Sequence, residues 1–191
     1  MLVESTNNSF NENSIEVDSA PNQDRGVCRI GTIDIGTNST HLLIAKLDQT
    51  LNTFSIELAE KSTTRLGERD PETGELTSLA MNRAFETLKR FKDLSTSYKV
   101  ESLLIAATSA VREAPNGKHF LSEIKKEIEL DVELISGAEE ARLIYLGVLS
   151  GMQFGKEPHL VLDIGGGSTE LILADSTDAR ALTSTKIGAV R

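Results

Sequence analysis

The sequence IDIGTNSTHLLIA at residues 33–45 recurs as LDIGGGSTELILA at residues 162–174, with no insertion or deletion between the two copies. Aspartate, isoleucine, glycine, serine, threonine, leucine and alanine occupy matching positions in both. Each copy has an apolar strand that ends at an aspartate, a turn of small residues, and a second apolar strand. Agreement of this extent indicates duplicated structure and predicts two similar strand–turn–strand units.

The composition of the two turns suits an anion. Glycine lets backbone N–H groups approach an anion closely and point at it, and serine and threonine hydroxyls add donors. We therefore predict that the turns face each other and bind one phosphate chain from opposite sides. The alternative is that both are hairpin turns that need glycine only for their backbone shape. The predicted phosphate-binding residues of the turns are Gly36, Thr37, Asn38, Ser39, Gly165, Gly166, Gly167, Ser168 and Thr169.

Two common phosphate-binding motifs do not describe these turns. A dinucleotide-binding fingerprint needs a further glycine and then a helix, whereas residues 165–174 continue into Glu170 and an apolar strand. A Walker A loop needs a Gly-Lys-Ser/Thr triplet, which the chain lacks. The sequence therefore excludes both classes of nucleotide-binding loop.

Acidic residues at the turns predict a divalent cation. Asp34 and Asp163 end the first strand of each copy, and Glu170 follows the second turn. A phosphate repels a carboxylate unless a cation lies between them, and Mg²⁺ prefers oxygen ligands. We therefore predict Mg²⁺ or another divalent cation at these three residues. The alternative is that the aspartates cap the turns by accepting their N–H groups.

Charge and cysteine content narrow the classes of protein. The chain has 191 residues, with 20 Lys and Arg against 29 Asp and Glu, and a net charge of −9. This acidic balance argues against a nucleic-acid partner. One cysteine excludes an intrachain disulfide framework and fits a reducing compartment, so we expect a cytoplasmic protein. No apolar run approaches the ~20 residues that span a bilayer, so we expect no membrane partner.

Hydrophobic periodicity predicts an α/β fold. Strands are predicted at residues 27–35, 40–47 and 53–59, in an antiparallel meander. Helices then alternate with strands, one of them at residues 132–135, and a second hairpin covers residues 160–174. This order predicts a mixed sheet flanked by helices.

Five segments together resemble the Ppx/GppA phosphatase family of exopolyphosphatases and guanosine pentaphosphate phosphohydrolases. That family is part of the actin/sugar-kinase/Hsp70 superfamily, so the resemblance implies a ribonuclease H-like fold with the active site between two related domains. The segments are GTIDIGTNS at 31–39, RLG at 65–67, ATSAVREA at 107–114, ISGAEEARLI at 135–144 and DIGGGSTEL at 163–171.

The same resemblance gives the expected domain organisation. Residues 1–26 are polar and acidic, and we expect them to form a disordered tail. Residues 27–150 resemble the first domain of the family. Residues 151–191 resemble the opening strands of the second domain, so we expect that domain to be incomplete.

The double glutamate at the start of the helix predicted at residues 136–149 supplies a candidate base. Ser136 and Glu139 have the spacing of a capping box, which would occupy Glu139 with the Ser136 amide. Glu140 is then the freer carboxylate. The resemblance implies that Glu140 orients or deprotonates the attacking water. The alternative is that Glu140 only favours the positive end of the helix.

Two arginines are candidates for binding phosphate charge. Arg112 follows a buried strand and small residues, where a helix start and a planar guanidinium would clamp a phosphate. Arg65 is a second candidate in the cleft. We assign Arg112 and Glu140 as catalytic, and Arg65 to phosphate binding. An ordinary surface cation is the alternative for Arg112.

The expected activity is release of the terminal phosphate from inorganic polyphosphate or from guanosine pentaphosphate. One alternative is an ATP-dependent kinase or ATPase of the same superfamily. Another is a non-catalytic module that binds (p)ppGpp or phosphate. A homodimer is a further expectation. The residues do not choose between the two substrates.

Overall fold

Residues 26–190 fold into two β-sheets with four helices. The computed structural model describes residues 26–190, so the predicted disordered tail, 1–26, lies outside the described residues apart from Gly26. The elements in chain order are β1 (Val27–Ile35), β2 (Thr40–Asp48), β3 (Thr53–Ser62), α1 (Ser78–Ser97), β4 (Ser102–Ala107), α2 (Ser109–Arg112), α3 (Gly117–Ile128), β5 (Glu133–Leu134), α4 (Gly137–Gly151), β6 (His159–Ile164), β7 (Thr169–Ala174) and β8 (Ala179–Thr185).

The first sheet has five strands in the order β3-β2-β1-β4-β5. The first three strands form the antiparallel meander, and β4 runs parallel to β1 while β5 runs parallel to β4. The mixed sheet with flanking helices, predicted from periodicity and the resemblance, is confirmed. Because β1 lies at its centre, the turn that follows β1 starts next to the carboxyl end of β4.

One face of this sheet carries the main core. Alternate residues of β1 and β2 are buried on that face, among them Ile33, Ile35 and Ile44. The apolar stripe of α1 packs against them, as residues spaced three and four apart lie on one side of a helix. Phe91 and Phe120 bring α1 and α3 onto the same core. This packing fixes the strand ends from which the first turn projects.

The second sheet is smaller and has the order β6-β7-β8, with antiparallel neighbours. Helix α4 packs on it, because Ala141 and Tyr145 are buried against Ile172 and Ala174. The predicted boundary near residue 150 falls at the end of α4, whereas this contact joins α4 to the second sheet. The two-domain division stays a prediction.

The edge strand β5 and the helices complete the description of the fold. The strand predicted at residues 132–135 is shorter, Glu133–Leu134, because β5 is an edge strand that pairs with only Ala106 and Ala107. Among the described residues 26–190, every helix is too short or too polar to cross a membrane.

Candidate functional site

The first turn is held in shape by backbone hydrogen bonds. The Gly36 amide donates to the Ser39 carbonyl at 3.1 Å and closes the turn. The amides of Arg65 and Gly67 then donate to the first turn from outside, each at 2.8 Å. Their acceptors are the carbonyls of Asn38 and Thr37, in that order. The segment RLG therefore contacts the turn through its backbone.

The second turn repeats this construction. The Gly165 amide donates to the Ser168 carbonyl at 2.9 Å, which matches the bond that closes the first turn. Residues 189 and 190 then lie along it, and their amides donate to the carbonyls of Gly165 and Gly166 at 3.0 Å each. The duplicated sequence therefore produces two turns with the same closing bond.

The two turns lie against each other. A Cβ atom placed on Gly166 would be 3.1 Å from the Cβ of Thr37. A Cβ atom placed on Gly167 would be 2.6 Å from the hydroxyl oxygens of both Thr37 and Ser109. Those two hydroxyl groups share a hydrogen bond of 2.9 Å. The structure thus brings together the turns that the sequence analysis expected to face each other, with the start of α2 between them.

A small space of about 80 Å³ lies where the turns meet. Its guanidinium comes from Arg69, a residue that the sequence analysis did not select. Arg69 donates to the carbonyls of Ala110 at 2.6 Å and Gly74 at 3.3 Å, which hold its side chain at the cleft. The lining residues are Thr37, Gly67, Arg69, Ser109, Ala110, Glu113, Gly166, Gly167 and Val190.

The structure does not bring the side chain of Arg65 to this space. Arg65 is exposed, has a left-handed backbone with φ of 47°, and is absent from the lining. The chain reverses at Arg65 so that Gly67 can contact Thr37, and Arg69 then reaches the cleft. Arg69 lies two residues beyond the RLG segment, and no motif in the sequence distinguishes it from Arg65.

Several predicted donors of the turns are engaged within the protein. The Thr169 hydroxyl donates to the Ile187 carbonyl at 2.6 Å, and Ser39 shares a hydrogen bond of 3.0 Å with His41. Ser168 is buried, and Asn38 is exposed. Among the hydroxyls of the two turns, Thr37 is the one that lines the small space.

Glu140 and Arg112 form a partly buried ion pair. One guanidinium nitrogen of Arg112 lies 3.2 Å from Glu140 Oε2 and 2.9 Å from the Ile135 carbonyl oxygen. The two side chains are 23% and 16% exposed, Arg112 first. The guanidinium that was predicted to clamp phosphate therefore also contacts the predicted base.

The cap of α4 differs in part from the predicted capping box. Ser136 accepts a hydrogen bond from the Glu139 amide at 3.1 Å, as expected. The Glu139 carboxylate, in contrast, accepts two bonds from Arg142, at 2.7 and 2.8 Å, so the predicted bond back to the Ser136 amide is wrong. Arg142 is three residues further on the same helix face and competes for this carboxylate. The Glu139 carboxylate is therefore engaged by Arg142, whereas the Glu140 carboxylate is paired with Arg112.

Four carboxylates make this region strongly negative. Burial raises the pKa of Glu140 to about 7, and the charges of Glu170 and Asp34 add to this shift against the opposing effect of Arg112. Desolvation by surrounding protein raises the pKa of Asp34 as well. The nearby His41 lowers that pKa, and Asp163 raises it. Since Glu170 and Asp34 act on Glu140, and Asp163 acts on Asp34, the four carboxylates share one electrostatic site.

The acidic residues occupy two environments. Asp34, Glu140 and Asp163 line an open trough of about 860 Å³ beside the turns. Glu170 is 1% exposed and accepts a hydrogen bond of 2.7 Å from the Ser184 hydroxyl. The trough shares no lining residue with the small space where the turns meet, and Asp34 and Asp163 connect the two regions because each lies two residues before the first glycine of its turn.

Known proteins share both the sequence and the fold of this region. The chain is 38% identical over 158 residues to a guanosine-5'-triphosphate,3'-diphosphate pyrophosphatase of Photobacterium profundum, and 35% identical over 159 residues to that of Aeromonas hydrophila. Each alignment covers 83% of this chain and 31% of the relative. The chain thus spans about a third of the length of these relatives.

Solved structures agree with this similarity. An exopolyphosphatase from Cytophaga hutchinsonii superimposes with a TM-score of 0.78 at 39% identity, over 84% of this chain and 51% of that one. A Ppx/GppA family member from Aquifex aeolicus gives a TM-score of 0.73 at 35% identity, over 85% and 52%. The profile of the Ppx/GppA phosphatase family matches residues 43–191. The chain belongs to the Ppx/GppA phosphatase family.

Proposed function

We propose that this chain binds an oligophosphate between the two turns and hydrolyses its terminal phosphoanhydride bond. The observation that carries the proposal is Glu140, a partly buried carboxylate whose pKa is raised to about 7 and which lines one trough with Asp34 and Asp163, the aspartates that precede the two facing turns. A phosphoryl transfer to water needs a positioned nucleophile and charge neutralisation. This site offers groups for both.

The turns would bind the phosphate chain. Backbone amides of the two turns and the Thr37 hydroxyl would donate to phosphate oxygens in the small space that they line. Arg69 would add a planar guanidinium that suits phosphate geometry.

Glu140 would deprotonate or orient the attacking water. A general base works best when its pKa lies near the working pH, and burial brings Glu140 into that range. Arg112 would hold the Glu140 carboxylate in place through the 3.2 Å contact. As a positive charge at the same site, Arg112 would also neutralise the phosphoryl group as it is transferred.

Asp34, Asp163 and Glu170 would hold a divalent cation, proposed as Mg²⁺. Within residues 26–190, no three acidic, histidine or cysteine side chains already form a cage for a metal. Mg²⁺ is commonly bound by one or two carboxylates together with substrate phosphates, so these oxygen donors fit it without such a cage. When bound, the cation would neutralise charge on the phosphates.

The names of the relatives support two substrates, guanosine pentaphosphate and inorganic polyphosphate, for this chain. A phosphate-release assay with Mg²⁺, on both compounds and on ATP, tests the proposal. Release from polyphosphate or guanosine pentaphosphate, faster than from ATP, is expected. Faster release from ATP would favour the kinase or ATPase alternative. Calorimetric binding of guanosine pentaphosphate without release from any compound would favour a binding module.

A cytoplasmic location and a homodimer stay predictions.

Replacing Gly167 with alanine is expected to weaken oligophosphate binding. The added Cβ would be 2.6 Å from two hydroxyl oxygens, so the side chains of Thr37 and Ser109 must shift where the turns meet. We expect the dissociation constant for tripolyphosphate, measured by titration calorimetry, to rise about tenfold, roughly the loss of one charged hydrogen bond. Gly147→Ala on α4 is the matched control, since its Cβ would meet open space. Equal affinity of the Gly167→Ala variant and the parent would contradict binding between the turns.

A further inference from the structure

Ser184 on β8 lies between Glu170 and the first residue of α4. Its hydroxyl donates to Glu170 Oε1 at 2.7 Å. Its own Cβ and Oγ lie so near to Gly137 that a Cβ on that glycine would be 2.5 and 2.6 Å from them. Ser184 therefore contacts the helix that carries Glu140 and the strand that carries Glu170.

We propose that Ser184 is a positioning residue, which holds the Glu170 carboxylate at the acidic site in the orientation that binds a divalent cation. This inference rests on the proposed function, and specifically on Glu170 as a cation ligand. It adds a residue on β8, which is neither a carboxylate nor part of a turn.

Burial makes the hydrogen bond of Ser184 consequential. Glu170 is 1% exposed, so water cannot take over the stabilisation of its carboxylate. The Ser184 hydroxyl donates to this buried carboxylate and so fixes the position of Oε1. Partners of this kind, which orient metal ligands, typically contribute about 10- to 100-fold in metal affinity.

Gly137 explains how Ser184 can reach Glu170. Any side chain at residue 137 would displace Ser184, because the contact involves its Cβ as well as its hydroxyl. The close approach of α4 and β8 therefore depends on glycine at the start of the helix. Because Gly137 contacts Ser184 and Ser184 donates to Glu170, a change at either residue should move the Glu170 carboxylate.

The test measures Mn²⁺ as a probe cation, by electron paramagnetic resonance on the whole chain. We expect Ser184→Ala to raise the Mn²⁺ dissociation constant of the folded protein about tenfold. Gly137→Ala, which keeps the hydroxyl but displaces it, is expected to change the affinity in the same direction. Thr183→Ala is the matched control, since it removes an exposed hydroxyl from the same strand and should leave Mn²⁺ affinity unchanged.

Two results would overturn the inference. One is an unchanged Mn²⁺ affinity in Ser184→Ala, and the other is a parent chain that does not bind Mn²⁺. Failure of the proposed function has a different signature, because Mn²⁺ binding would still depend on Ser184 while no compound released phosphate. In an active protein, Ser184→Ala should raise the Mg²⁺ concentration needed for half-maximal rate while leaving the rate at saturating Mg²⁺ within about twofold.

Discussion

Glu140→Gln is expected to lower the rate of phosphate release from polyphosphate and guanosine pentaphosphate by roughly 100- to 10,000-fold, the usual contribution of a general base. Glutamine keeps the shape of the side chain and can still accept a bond from Arg112, which lies 3.2 Å from Glu140 Oε2. It cannot accept a proton from water. Tripolyphosphate affinity should therefore change by less than about threefold, because the turns that bind it are intact.

Glu139→Gln is the matched control for this variant. Glu139 is the adjacent carboxylate on the same helix and lines the same trough, but both of its carboxylate oxygens accept bonds from Arg142. The measurement is release of inorganic phosphate under Mg²⁺, in parallel on the parent and the two variants. Only Glu140→Gln should lose activity. Equal rates for Glu140→Gln and the parent would remove Glu140 from the mechanism.

The contact between the two turns could be predicted because the duplicated sequence indicates two similar strand–turn–strand units. Both copies end an apolar strand at an aspartate, and the turns that follow β1 and β6 are closed by the same backbone hydrogen bond. Periodicity likewise identified the meander of β1, β2 and β3 and the hairpin of β6 and β7, since apolar spacing reports which face is buried. Glu140 could be selected because the capping-box spacing assigned a structural role to Glu139, the adjacent carboxylate.

Other features depend on contacts that are distant in the sequence. Arg69 reaches the cleft because Arg65 and Gly67 bind the first turn through their backbone, which the sequence does not display. Ser184 meets Gly137 only through packing of β8 on α4. Although β6 is apolar, Leu162 and Ile164 are 54% and 69% exposed, since α4 packs on the opposite face of that sheet.

The raised pKa of Glu140 also predicts a stability cost. Its pKa in the folded chain is about 7, against 4.5 for an ordinary glutamate, so the folded state binds this proton more tightly than the unfolded state. The stability that the proton provides is complete below pH 4.5 and is lost as the pH rises through 7. Above pH 7 the ionised carboxylate faces Asp34 and Glu170, and Arg112 compensates only in part.

Glu140→Gln should therefore be more stable than the parent at pH 8, by roughly 1 to 3 kcal/mol from the size of the pKa shift. At pH 5 the parent side chain is protonated and resembles glutamine, so the two free energies of unfolding should nearly agree. Urea unfolding at both pH values, without divalent cations, measures the difference. Glu139→Gln should show no gain at pH 8, because its bonds to Arg142 lower the pKa of Glu139. A parent and a Glu140→Gln variant with the same pH dependence would show that the acidic site does not strain the fold. Added Mg²⁺ should narrow the gap at pH 8, since a cation among these carboxylates relieves the repulsion that glutamine removes.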